Sequence, residues 1–126
     1  SRIHPMSVIG FEELECWQEA KALAVMLYQI SKDGELNRDF GLRDQIRRAA
    51  VSIASNIAEG KERETIAEFI RYLYMAKGSA GELKTQILIA QDIEYLDQKS
   101  SKELQLKIEK VSAMIGALIK TLKGRR

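Results

Sequence analysis

The segment GLRDQIRRAAVSIASNIAEG, Gly41 to Gly60, constrains the fold of this chain more than any other. It opens with Arg43, Asp44, Arg47 and Arg48, then carries no charge from Ala49 to Ala58, where most side chains are small. Leu42, Ile46, Ala49, Ile53 and Ile57 recur at helical spacing, so the segment reads as a helix with one apolar stripe. A helix in a bundle buries only one face, and a helix that is neutral all round is usually covered all round. The second face, Ala50, Ala54, Ser55 and Ala58, is therefore expected to meet another subunit. The competing reading is that Ser52, Ser55 and Asn56 make that face polar enough for water.

Three further segments carry the same periodicity. Between about Phe11 and Ser31, the stripe is Cys16, Ala20, Leu23, Leu27 and Ile30, followed by Lys32-Asp33-Gly34 and a short loop to Gly41. Gly60 reads as a stop for the second helix. Thr65 with Glu68 three residues on reads as a capping box for the third. That helix runs from about Ile66 to Asp92, with Ile66, Phe69, Leu73, Ala76, Ala80, Leu83, Ile87 and Ala90 as its stripe. Gly78 and Gly81 sit inside it and each costs about 1 kcal/mol relative to Ala. Close approach of a neighbouring backbone over Gly78-Ser79-Ala80-Gly81 is the favoured reason. The fourth helix, about Ser101 to Lys123, steps through Leu104, Ile108, Val111, Ile115, Leu118 and Leu122. Short connections make successive helices antiparallel neighbours. The expected fold is all-α, an antiparallel up-down four-helix bundle.

With 126 residues and a single proline, the chain fits one helical domain. Residues 1–10 read as a leader, with Ser1–Pro5 as a cloning remnant ahead of Met6; 11–123 form the bundle and 124–126 a basic tail. No apolar run approaches the roughly 20 residues of a membrane span. Together with the lone Cys16, this points to a cytoplasmic protein without disulfides. The formal net charge is only +2. It is unevenly spread: Glu12, Glu13, Glu15 and Glu19 crowd the start. No acid follows Glu109, where Lys110, Lys120, Lys123, Arg125 and Arg126 stand.

Little in the chain points to catalysis. His4 is the only histidine, which removes histidine-based triads and most His-containing metal sites. Cys16 lies on a core stripe without a His partner, no glycine-rich phosphate loop is present, and Glu59 and Glu82 read as ion-pair partners for Arg43, Arg47 or Arg71. No cofactor or metal is expected, and the chain reads as non-enzymatic. Arg43 and Arg47 share a face while Arg48 points elsewhere. These three, with Lys120, Lys123, Arg125 and Arg126, are the candidate phosphate contacts. Ion pairing with Asp44, Glu59 and Glu82 is the structural alternative for Arg43 and Arg47. Tyr72 and Tyr74 read as packing residues before stacking platforms.

FEELECWQEA (Phe11–Ala20), GLRDQIRRAAVSIASNIAEG (Gly41–Gly60) and EFIRYLYMAKGSAGELKTQ (Glu68–Gln86) resemble signature segments of a bacterial four-helix bundle family. That family includes proteins encoded in intervening sequences of large-subunit ribosomal RNA genes and the accessory variability protein of diversity-generating retroelements. The resemblance runs from about Phe11 to Leu96, and Ala54 stands where many members carry Pro. It implies a ring-like homopentamer with no catalytic chemistry and, for the retroelement branch, binding to a reverse transcriptase and to nucleic acid. The first expected function is thus an oligomeric accessory protein that binds nucleic acid, RNA before DNA. The second is a protein–protein scaffold without that role. The expected self-contacts are Ala50, Ala54, Ser55, Ala58, Gly78 and Gly81.

Overall fold

Side chains that accept backbone N–H groups set where three of the helices begin. Asp39 Oδ1 accepts from the Leu42 N–H at 3.1 Å, Thr65 Oγ1 from the Glu68 N–H at 3.1 Å, and Asp97 Oδ1 from the Ser100 N–H at 2.7 Å. Each satisfies a donor that the first helical turn leaves without a partner. The computed structural model describes residues 10–125, so residues 1–9 of the leader, His4 among them, and Arg126 lie outside the described residues. Among the described residues there is no strand. A 3-10 turn, Phe11–Glu13, precedes α1 (Glu15–Ile30), α2 (Gly34–Arg38), α3 (Phe40–Lys61), α4 (Ile66–Asp92) and α5 (Gln98–Lys123).

Three local expectations are corrected, and a fourth finds no partner within the chain. The first helix does not run unbroken from Phe11: Leu14 is extended and buried, and it separates the 3-10 turn from α1. Phe11 then folds edge-on against Trp17, with ring centroids 5.2 Å apart. The loop expected between Lys32 and Gly41 contains α2, because Leu36, the one large aliphatic there, is pulled into the core. Gly60 does not stop α3, which continues to Lys61. A Cβ at Gly60 would lie 2.8 Å from Tyr72 Cβ and 3.0 Å from Phe69 Cδ1, so this glycine serves the close approach of α3 and α4. At Gly78 and Gly81, where close approach was expected, an added Cβ meets no atom of this chain within 4 Å.

The apolar stripes converge on one core. Cys16, Ala20, Leu23 and Leu27 of α1 meet Ile46, Ala49, Ile53 and Ile57 of α3. Leu73, Ala76, Leu83 and Ile87 of α4 and Leu104, Ile108, Val111 and Ile115 of α5 complete the cluster. Helix α3 lies against α1 and α4, and α5 against α4 and α1, which makes a helical bundle. Ile119 is buried where Leu118 was expected to continue the α5 stripe, and Leu118 is only half-buried. Ala50 is a further correction. It is 0% exposed inside the subunit, because three residues before Ile53 and four after Ile46 it falls on the core stripe and not on the outer face.

Polar contacts tie the helices at defined levels. The Ser52 and Ser79 hydroxyls meet at 2.9 Å between α3 and α4. Lys77 Nζ donates to the Ser112 carbonyl at 3.2 Å and hydroxyl at 3.0 Å, and Lys84 pairs with Glu109 at 2.9 Å. At the end of α4, Glu94 takes a left-handed φ of 66°, and the Tyr95 N–H turns back to the Ala90 carbonyl at 2.8 Å. Tyr95 Oη then donates to Asp39 at 3.1 Å, which pins this turn to the start of α3.

Candidate functional site

Two of the three arginines of α3, Arg43 and Arg47, are held within the chain. Arg43 Nε pairs with Asp44 at 3.0 Å, and its Nη1 donates to the Asn37 carbonyl and side-chain oxygen, both at 3.2 Å. Its guanidinium also lies over the Phe40 ring at 4.7 Å. Arg47 Nε donates to the buried Ser31 hydroxyl at 2.8 Å while the guanidinium lies over Tyr28 at 4.6 Å. Arg48 is exposed and forms no ion pair among the described residues.

The expected pairing of Glu59 or Glu82 with Arg43, Arg47 or Arg71 is corrected. Glu59 pairs with Arg63 at 2.6 Å, Arg71 with Glu68 at 3.1 Å, and Glu82 with none of the described cations. The reason is reach: Glu59 stands about three turns, ~18 Å, along the same helix from Arg47. The pairing with Arg71 holds the Glu68 carboxyl below its ordinary range, and it also diverts Glu68 from completing a capping box with Thr65.

The basic end of α5 is differently placed. Lys120 and Arg125 are exposed and form no ion pair among the described residues, and Lys123 Nζ donates to Tyr74 Oη at 2.8 Å and lies over its ring at 5.3 Å. Tyr72 carries Arg63 and Arg71, each with its guanidinium carbon 4.8 Å from the ring centroid. Both tyrosines thus serve as platforms for the chain's own cations. The two groups of candidate phosphate contacts are not brought together. Asp39, at the start of the helix that carries the arginines, accepts from Tyr95, whereas Lys123 sits on Tyr74, about 30 Å of helix away.

The outer face of α3 carries the expected small residues except Ala50. Ala54 and Ala58 are half-buried and Ser55 is exposed. With Trp17, Val25, Tyr28 and Val51 they line an open apolar groove between α1 and α3. A more polar hollow lined by Asp44, Arg47, Arg48 and Ser52 continues the groove past Tyr28. On the outward side of α4, Gly78 and Gly81 stand between exposed Tyr74 and Met75 at one end and exposed Leu88 and Ile89 at the other. Reading for buried stripes missed these large exposed residues. Leu88 and Ile89 do fall off the Leu83–Ile87–Ala90 stripe, and that offset was the available signal. Cys16 is buried, and burial pushes its thiol up to about 11, which suits a packing role. Among the described residues no cluster of His, Cys, Asp or Glu has the arrangement of a metal site, and no helix is long and apolar enough to cross a membrane.

Residues 12–117 match the family model described as 23S rRNA-intervening sequence protein. Among solved structures, the chain is similar to a protein of unknown function from the S23 ribosomal protein family of Bacteroides thetaiotaomicron. That protein is 22% identical, with a TM-score of 0.79 over 83% of this chain and 95% of that one. At this identity the likeness speaks for the fold. A comparison with curated proteins gives no match.

Proposed function

The chain belongs to the 23S rRNA-intervening sequence protein family, and from that premise we propose that it is a non-enzymatic, self-associating accessory protein of the cytoplasm that binds nucleic acid, RNA before DNA. Within the subunit, the cross-helix contacts support an antiparallel up-down order of the four long helices. Lys123 meets Tyr74, Ser112 meets Lys77 and Glu109 meets Lys84, so numbers fall along α5 as they rise along α4. Ring closure into a homopentamer rests on the family resemblance for its number. A reverse transcriptase as partner rests on it altogether, and the neighbouring genes test that part.

The observation that carries the nucleic-acid reading is the end of α5. No acid follows Glu109, and Lys120, Lys123 and Arg125 pair with no carboxylate among the described residues. Repeated around a ring, a small basic cluster per subunit becomes a many-phosphate contact surface, whose affinity falls steeply with salt. Replacing Lys120, Lys123, Arg125 and Arg126 together by Glu is expected to abolish binding to a structured RNA in an anisotropy titration while scattering mass stays unchanged. Unchanged RNA affinity would overturn the placement. The scaffold reading draws on the small net charge and on the apolar groove beside Ala54; absent RNA binding by the parent protein would favour it. Ala54→Arg is expected to lower the scattering mass without unfolding the subunit, and an intact assembly would mean that this face meets water.

A further inference from the structure

The seam between α4 and α5 carries polar groups of one kind. Lys77 Nζ reaches from α4 to the Ser112 carbonyl at 3.2 Å and hydroxyl at 3.0 Å. About 16 Å further along α5, Lys123 Nζ donates to Tyr74 Oη at 2.8 Å. Exposed Lys120 stands three residues before Lys123. None of these ammonium groups meets a carboxylate among the described residues.

A lysine ammonium has three N–H donors and no acceptor. Lys77 uses two on Ser112 and keeps one, and Lys123 uses one on Tyr74 and keeps two. The Ser112 and Tyr74 hydroxyls accept in these contacts, and each keeps its own proton to donate. The seam thus presents donors in excess, and their complement is an oxyanion. Glycine keeps the row open. A Cβ at Gly116 would lie 3.6 Å from Lys77 Nζ, and one at Gly81, a turn beyond Lys77, would meet no atom of the chain within 4 Å.

The neighbouring acids confine an anion to this seam. Glu109 is neutralised by Lys84 at 2.9 Å. Glu82 lies five residues beyond Lys77, about 140° round α4 and so off the seam. On the far flank of α5, Glu15 lines a hollow with Ala117 and Leu118, and Glu19 faces Lys110 at 3.6 Å. Exposed Glu12 and Glu13 precede them. Phosphate is repelled from that flank and attracted to the other.

We infer that a nucleic-acid phosphodiester chain lies along the α4/α5 seam, with phosphates on Lys77 and Ser112 at one end and on Tyr74, Lys120 and Lys123 at the other. The inference rests on the nucleic-acid reading above and carries its contact surface from the end of α5 onto α4. A single free phosphate could reach only one end of a row this long, whereas a polyanion engages both ends at once. The α3 arginines take no part.

Anisotropy titrations of the full chain with one labelled structured RNA, repeated between about 50 and 200 mM salt, read both affinity and its salt slope. Lys77→Gln is expected to bind several-fold more weakly and to make the slope shallower by about 0.7–0.9, the loss of one phosphate contact. Lys107→Gln removes an exposed lysine about 140° round α5 from Ser112 and should change neither. Gly116→Glu places a carboxylate beside Lys77 in a helix that accepts it, and should weaken binding about tenfold. Gly116→Ala should keep the parent affinity. A Lys77→Gln slope equal to the parent's, an equal loss in Lys107→Gln, or a Gly116→Glu affinity equal to the parent's would overturn the seam. If the parent binds and only the reversal of the α5 basic end abolishes binding, the nucleic-acid reading stands without the seam. A parent that binds no RNA at any salt would overturn both.

Discussion

Gly60, Gly78 and Gly81 all sit inside helices, and alanine should affect them with opposite sign. At Gly78 or Gly81 the added methyl meets nothing of its own chain within 4 Å. Only the propensity gain acts there, about 1 kcal/mol, part of it from the narrower unfolded ensemble. At Gly60 the same gain is opposed by contact. The new carbon would lie 2.8 Å from Tyr72 Cβ and 3.2 Å from the Phe69 carbonyl oxygen, neither of which is the far end of a flexible side chain. Helices α3 and α4 must move apart along a buried seam, and overpacking of this kind costs about 1–3 kcal/mol. The net effect at Gly60 is a loss of about 1 kcal/mol, so the two substitutions should differ by about 2 kcal/mol. Urea unfolding followed by circular dichroism measures this, with Ala54→Arg as the parent so that assembly does not add to stability. With a slope of about 2 kcal/mol per molar for a chain of this size, the midpoints should separate by about 1 M. Gly60→Ala at or above the parent midpoint would refute the close-approach argument. Gly78→Ala below the parent would show that the outer face of α4 is packed within its own subunit.

Other consequences follow from single side chains. Asp39→Ala removes both the acceptor for the Leu42 N–H and the partner of Tyr95 Oη, and should cost about 2 kcal/mol in urea unfolding. Combining it with Tyr95→Phe should add little, since both act on one contact. The Cys16 thiol ionises at about 11 in the native state, against 9.0 for the ordinary group. Below pH 9 both states hold the proton; above it the unfolded state loses the proton first, so stability should fall between about pH 9 and 11. Cys16→Ala should flatten that part of the stability profile, and native Cys16 should react with a thiol reagent no faster than the protein opens.

Helix content and the burial pattern were legible because each depends on local periodicity. The stripe Cys16–Ala20–Leu23–Leu27 and the stripe Leu73–Ala76–Leu83–Ile87 were both found buried. Where a residue's role depended on distant chain, local reading erred. Gly60 looked like a stop because a glycine after an apolar run usually is one, but Tyr72 and Phe69, in the next helix, determine its use. Gly78 and Gly81 were read as a place of close approach by a neighbouring backbone, and no atom of their own chain supplies it. Leu36 looked like part of a loop, because one leucine among polar residues shows no period until a core exists to receive it. The α3 arginines illustrate the same limit: their charge was legible, but their engagement by Ser31, Tyr28 and Asn37 was not.

The sequence by itself therefore determined the helical class, the stripes and the family, since side-chain spacing and motif residues are properties of the chain in one dimension. Only the tertiary structure decided which neutral surface was left over once the core was filled. Ala50 turned inward by its angle on the helix, whereas Ala54, Ser55 and Ala58 stayed beside a groove bordered by Tyr28 and Val51. It also decided that the exposed apolar residues gather beside the α1/α3 groove and along the outward side of α4. The physical reason is that exposure and ion pairing depend on what the other helices cover, and that is fixed only when all of them have packed.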